Sequence, residues 1–107
     1  MLNFLKCIID QEAREVARFS KKDLTIDTCE VIDGEKPFET AISHPDYNNG
    51  RWIIVEAYYH KDAAKIGHDA WVKIMTHDEL PGSLSDCQNC GISKLIPSAK
   101  LIFKRKK

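Results

Sequence analysis

The sequence has no excess of charge of either sign and no long hydrophobic run. Its 107 residues contain 16 lysine and arginine residues and 16 aspartate and glutamate residues, so the formal net charge is zero. A neutral chain is not expected to attract nucleic acid or membranes through its overall field. A membrane-spanning helix needs about 20 consecutive apolar residues, and the apolar start, residues 1–9, is too short. Because this start also lacks a basic leader and a small-residue cleavage site, we expect a cytoplasmic protein.

The common catalytic motifs are missing as well. The chain has no G-x-S-x-G, no phosphate-binding loop, no G-x-G-x-x-G and no H-E-x-x-H around its four histidines. We therefore predict that the protein is not an enzyme. Its length suits one domain with a core of its own, so we expect a single domain over residues 1–107. Disorder is one alternative for the basic tail, residues 104–107.

The strongest strand pattern lies at residues 51–59. Trp52, Ile54 and Tyr58 alternate with another set of apolar residues, and Glu56 is the polar exception. Side chains alternate across a strand, so both faces of this strand are predicted to be apolar, as in a central strand. We interpret Glu56 as a carboxylate that is paired within the sheet. The functional alternative is that Glu56 marks a cleft.

An amphipathic helix is predicted directly afterwards, at about residues 61–76. Apolar residues recur at spacings of three and four, which places them on one face that we expect to be buried. Gly67 lies within this face and predicts a close approach of the helix backbone to the sheet. The predicted buried residues are Ala63, Ile66, Gly67, Ala70, Trp71 and Ile74.

Weaker patterns complete an α+β fold. Apolar spacing predicts an N-terminal helix over residues 4–20. Alternation predicts strands at 24–32 and 38–43 and a last strand at 99–103, whereas residues 91–96 could be strand or helix. The expected architecture is a small, mainly antiparallel sheet of three or four strands, with the N-terminal helix and the 61–76 helix packed on it.

Cys87 and Cys90 form the sharpest motif for chemistry. Two thiolates at this spacing can bind one zinc ion, which requires four ligands. The other two would have to come from Cys7, Cys29 or the histidines, which are scattered singly. We therefore expect no cofactor, with free thiols in a reducing compartment, and keep zinc at Cys87 and Cys90 as the alternative.

The C-terminus carries a basic run. Lys104, Arg105, Lys106 and Lys107 follow one another at the end of the chain. Such a run can contact phosphates or an acidic protein surface. A solvated terminus is the simpler interpretation, and a nucleic-acid contact, combined with the zinc site in an accessory protein, is the alternative.

Aromatic residues cluster around the central strand and helix. If one face of the sheet lacks a helix, the aromatic residues on that face would be exposed and would mark an interface. The leading hypothesis is therefore a non-enzymatic interaction or assembly module that binds a second copy or another protein. The predicted interaction residues are Tyr47, Trp52, Tyr58 and Trp71.

The middle third of the chain also resembles a family. The segments HPDYNNGRW at residues 44–52, Val55-Glu56 and GHDAWV at residues 67–72 look like small proteins without an assigned activity encoded by tailed bacteriophages and prophages. The resemblance implies a bacterial host cytoplasm or a virion and an accessory role. It implies no catalytic residue.

Overall fold

A computed structural model describes residues 14–32, 34–87 and 101–106. Within these ranges the chain forms six strands, one α-helix and one 3₁₀ turn. The elements in chain order are β1 (Glu15–Lys21), β2 (Leu24–Glu30), β3 (Phe38–Ser43), the 3₁₀ turn Asn48–Gly50, β4 (Ile53–Tyr58), α1 (Lys61–Met75), β5 (Ser83–Ser85) and β6 (Ile102–Lys104).

The first four strands form one antiparallel sheet in the order β1-β2-β3-β4. Each strand pairs with the next along the chain, which short turns permit. Lys22, in the turn between β1 and β2, has a φ of 54°. Asn48, Asn49 and Gly50, before β4, also have positive φ angles, and asparagine and glycine tolerate that conformation best.

The predicted N-terminal helix is wrong over residues 15–20. These residues form β1, which pairs with β2 along its length, with Phe19 opposite Ile26 and Ala17 opposite Thr28. Val16 is an extra residue where the pairing register shifts, so the strand does not alternate regularly there. Pairing with β2, which follows after a two-residue turn, overrides the helical pattern of the sequence. Residues 4–13 lie outside the described residues. Among the elements of the described ranges, α1 is the one α-helix.

The other elements correspond closely to the expected positions. The strands at 24–30, 38–43 and 53–58 and the helix at 61–75 lie within or at the predicted ranges. The last strand is Ile102–Lys104 rather than 99–103, and residues 91–96 are outside the described ranges. No helix of the described residues is long and apolar enough to span a membrane.

Helix α1 covers one face of the sheet. At one end of this face the core is apolar. There it extends beneath the antiparallel pair of β5 and β6, which contributes Leu84 and Phe103. Its buried members are Leu24, Ile26, Ile42, Tyr47, Ile53, Met75 and Leu84. A second buried cluster occupies the opposite face, with Cys29, Val31, Ala41 and Ile54.

A β-bulge changes the predicted alternation of β4. Thr40 of β3 pairs with Glu56, but Ala41 pairs with Ile54, so Val55 is an extra residue. An extra residue reverses the inward and outward assignment on one side of the bulge. Consequently Ile54 and Tyr58 lie on opposite faces of the sheet, although simple alternation placed them on the same face.

Candidate functional site

The face of α1 that packs on the sheet differs from the predicted one. The buried residues of α1 are Ala64, His68 and Met75, with Trp71 and Val72 half-buried beside them. We call this set the inner face. Gly67 lies at its margin, where an added Cβ atom would overlap the Tyr58 ring and hydroxyl. The expected close approach at Gly67 is therefore present, and the helix is turned so that His68 enters the core.

The four other apolar residues of the predicted face point into solvent. Ile66 is 72% exposed and Ile74 is 41% exposed, and both alanines are exposed as well. Their spacing of three, four and four residues keeps them in one line along the helix. We call this set the outer stripe: Ala63, Ile66, Ala70 and Ile74. Its exposure corrects the prediction that these residues are buried.

A chain of hydrogen bonds lies between the inner face and the sheet. It begins at His68, whose Nδ1 is 2.8 Å from Thr28 Oγ1. Thr28 Oγ1 is 2.6 Å from Thr40 Oγ1, which is 3.1 Å from the Tyr58 hydroxyl. Tyr58 donates to Glu56 Oε1 at 3.0 Å. The chain thus connects a buried imidazole to an exposed carboxylate.

The direction of this chain follows from proton counting. Each hydroxyl has a single proton to donate. Because Tyr58 gives its proton to Glu56, it must accept from Thr40, and Thr40 must in turn accept from Thr28. Thr28 then accepts from His68, which fixes the imidazole proton on Nδ1. Every hydroxyl of the chain therefore has both a donor and an acceptor partner.

The pKa values of the chain reflect its burial. Burial lowers the pKa of His68, although Asp69 and Glu15 act in the opposite direction. Burial also raises the pKa of Tyr58, which favours the protonated hydroxyl that the chain requires. Glu56 also accepts a hydrogen bond from Trp71 Nε1 at 2.8 Å. These hydrogen bonds attach α1 to the sheet, so the hydrogen-bond chain fixes the position of the helix.

The opposite face of the sheet contains a second buried polar group. Asp27 is fully buried, and its Oδ2 is 3.1 Å from Arg18 Nη1. Burial and the neighbouring Glu15 carboxyl raise the pKa of Asp27 to about 8, against the opposing effect of Arg18. Two adjacent carboxyl groups cannot both ionise cheaply away from water, so burial beside Glu15 favours the protonated form of Asp27.

The four predicted interaction residues do not form one surface. Tyr47 is fully buried and donates to the carbonyl of Pro81 at 2.5 Å. Tyr58 is buried, and Trp52 and Trp71 are half-buried. Trp52 packs against the cluster on one face of the sheet, whereas Trp71 packs on the other. These aromatic residues mainly build the two cores.

The structure describes two of the four cysteines, Cys29 and Cys87. Cys29 is disulfide-bonded. The expectation of free thiols is therefore wrong for Cys29, whose sulfur is no longer available as a thiolate ligand. Cys87 is half-buried, and its backbone N–H donates to the carbonyl of Ile54; Cys90 is outside the described residues. The part of the chain that the structure describes holds no group of three metal-ligating side chains.

The basic C-terminal run begins inside the fold. Lys104 ends β6 opposite Ser83, and the next two backbone N–H groups donate to the carbonyls of Gly82 and Asp46. Lys107 is outside the described residues. The run therefore lies beside the loop that follows β3, where Arg105 borders a cleft near the C-terminal end of α1.

Sequence reasoning found the strand and helix that carry these features but missed two of them. The hydrogen-bond chain depends on which residues of four separate elements meet, so no local spacing reveals it. The cleft likewise combines four segments. The one available signal was His68, a histidine between glycine and aspartate in the middle of an amphipathic helix. No protein-family model, curated protein or solved structure matches this chain.

Proposed function

We propose that this protein is a non-enzymatic interaction module that pairs with a second copy of itself through the outer stripe of α1. The observation that carries the proposal is the exposure of Ile66 and Ile74 on the side of the helix that faces away from the sheet. Apolar residues that line one helical face and remain in water favour an interaction surface.

The order of side chains in the outer stripe suits an antiparallel pair. In such a pair, a two-fold axis passes between the two α1 helices at the level of residue 68. This arrangement would place Ile66 opposite the partner's Ala70. The same axis would place Ala63 opposite the partner's Ile74. Large side chains would then face small ones at both ends, and such pairing allows two helices to approach closely and fill the space between them.

The charges beside the stripe have the same symmetry. Asp62 and Lys73 are exposed residues on one flank of the stripe, about three helical turns apart. An antiparallel arrangement brings Asp62 near the partner's Lys73, and it does so twice. Exposed ion pairs contribute at most about 1 kcal/mol each, so they select the orientation more than they add affinity. Asp69 lies near the two-fold axis on this flank, and its repulsion of the partner's Asp69 weakens the pair.

The size of the surface indicates a weak, reversible dimer. A standard protein interface buries about 800 Å² on each partner, and one four-turn helix offers less. A shallow depression of about 500 Å³ next to Ile74, bordered by Leu80 and Pro81, extends the apolar surface at the C-terminal end of α1. We therefore expect association to depend visibly on protein concentration.

Sedimentation velocity over a range of concentrations tests the proposal. The wild type should shift from monomer to dimer, and Ile66→Glu should remain monomeric because burying a carboxylate without a partner is costly. The matched control is Ile32→Glu, since Ile32 is also exposed but lies outside α1. A wild type that stays monomeric, or a dimer that Ile66→Glu leaves intact, would exclude the outer stripe as the interface.

Charge reversal tests the orientation separately. Asp62→Lys should weaken the dimer because it faces the partner's Lys73, and Asp62→Lys combined with Lys73→Asp should restore it. Lys61→Glu is the control, because Lys61 is exposed and lies about 100° of helical rotation from Asp62, away from the outer stripe. If the double reversal does not recover association, the antiparallel arrangement is incorrect. A role as a bacteriophage accessory or virion-associated protein would be a setting for such a module, and it rests on the sequence resemblance alone.

A further inference from the structure

We propose that the cleft near the C-terminal end of α1 binds a small anion that carries a phosphate group. The cleft has a volume of about 350 Å³. It lies where the β1-β2 turn, the loop after β3, the end of α1 and the residue after β6 meet. This site is independent of the outer stripe, and its ligand is a small molecule or ion rather than a second chain.

Three cationic side chains from two distant parts of the sequence border the cleft. Lys21 and Lys22 come from the β1-β2 turn, and Arg105 comes from the end of β6. The position of Arg105 is fixed on both sides, because its own N–H donates to Gly82 and that of the next residue donates to Asp46. Arginine and lysine together are the usual donors to phosphate oxygens.

Two histidines add neutral donors. His44 Nδ1 accepts the backbone N–H of Asp46 at 3.0 Å, and His77 Nδ1 accepts that of Glu79 at 3.2 Å. Nδ1 therefore carries no proton in either ring, so the proton of each neutral imidazole is on Nε2. Both histidines border the cleft. Each can thus offer an Nε2–H donor to an anion bound there.

Acidic groups limit what the cleft can hold. Asp23 and Asp78 border it, and the carbonyl end of α1 carries partial negative charge. Asp46 Oδ2 also lies 3.9 Å from Arg105 Nε, so an anion must compete with Asp46 for this side chain. Three cations therefore face three carboxylates, and the cleft has no net positive charge. Such a site discriminates by the number of hydrogen bonds a ligand can accept, and a phosphate group, with several oxygens, accepts more than chloride. The mixed charges and the small volume favour one phosphate group over a long polyanion such as nucleic acid.

Titration with inorganic phosphate, followed by NMR of the histidine ring protons, tests this site. Ionic strength is held constant with chloride, and Ile66→Glu provides a monomer, so the outcome does not depend on dimerisation. The resonances of His44 and His77 should shift and saturate. Those of His60 should not, because His60 precedes the other end of α1.

Variants decide whether the effect comes from the cleft. Arg105→Gln and Lys22→Gln should each weaken phosphate binding about tenfold, the effect of losing one charge-assisted hydrogen bond. Lys61→Gln, an exposed lysine at the far end of α1, should bind as the parent does. Phosphate shifts equal to those of chloride would overturn the proposal. So would saturable binding that persists unchanged in both cleft variants, because the anion would then bind elsewhere.

Discussion

The inner and outer faces of α1 divide its apolar side chains differently from the prediction. The inner face contains a histidine that is only 4% exposed, next to a glycine at its margin. The outer stripe contains two isoleucines in contact with water. Hydrophobicity alone would turn the helix so that the isoleucines pack on the sheet. The observed orientation of the helix must therefore satisfy a second requirement besides the burial of apolar side chains.

That requirement comes from the sheet surface. Below the middle of α1, β2, β3 and β4 present the hydroxyl groups of Thr28, Thr40 and Tyr58. Burying these groups without partners would cost about 1–3 kcal/mol each. An isoleucine placed over them could offer no hydrogen bond, whereas His68 completes the chain. Gly67 leaves room for Tyr58, so the buried polar groups determine how the helix is turned and the outer stripe remains exposed.

Replacement of His68 is the strongest test of this comparison. His68→Ala should lower the free energy of unfolding by about 2–4 kcal/mol, because it creates a cavity and removes the hydrogen-bond donor to Thr28. Urea denaturation followed by circular dichroism measures the change. His60→Ala is the matched control, since His60 is exposed and its side chain does not cap α1. Equal effects at the two positions would contradict the role of the hydrogen-bond chain.

The same variant sharpens the comparison through pH. Burial lowers the pKa of His68 in the folded state, so below the unfolded value of about 6.5 the unfolded chain binds a proton that the folded one excludes. His68 therefore contributes stability that is complete above that pH and is lost as the pH falls. Wild type should lose more stability on acidification than His68→Ala. Parallel pH profiles would show that His68 is not held neutral.

Substitution of Gly67 gives the next largest effect. Overlap with Tyr58 should make Gly67→Ala lower the free energy of unfolding by about 1–3 kcal/mol. The higher helix propensity of alanine should offset roughly 1 kcal/mol of this loss. Ala70→Gly, on the outer stripe, is the control and should cost about 1 kcal/mol by propensity alone. In a Tyr58→Ala background Gly67→Ala should become neutral or stabilising. Thermal unfolding of the four proteins of this cycle measures the coupling, and its absence would mean that the two residues do not meet.

The smallest expected effect is on the outer stripe. Measured at concentrations where the protein is monomeric, Ile66→Ala should change the free energy of unfolding by less than about 0.5 kcal/mol, as for other exposed sites. Ile26→Ala, at a fully buried position, should cost about 2–5 kcal/mol. Comparable losses at Ile66 and Ile26 would place Ile66 against its own chain and remove the basis of the proposed dimer.

The sequence predicted those elements whose pattern is local. Strands β2, β3 and β4 alternate in residue type, and α1 has clear three- and four-residue spacing, so their positions were recognisable. β1 was not, because the adjacent apolar residues Val16 and Ala17 at the register shift interrupt the alternation typical of a strand. Of the predicted site residues, Tyr47 and Tyr58 are in the core, and the aromatic content of a segment cannot distinguish a core from an interface.

The kind and approximate place of most elements could be predicted because they depend on near neighbours in the chain. Three further features appear only once the chain is folded: the orientation of α1, the hydrogen bonds that connect His68 to Glu56, and the cleft between Lys22 and Arg105. Each depends on side chains from strands and loops far apart in the sequence. The physical reason is that buried polar groups must find partners wherever the fold brings them, and that pairing selects one arrangement among several with similar hydrophobic burial.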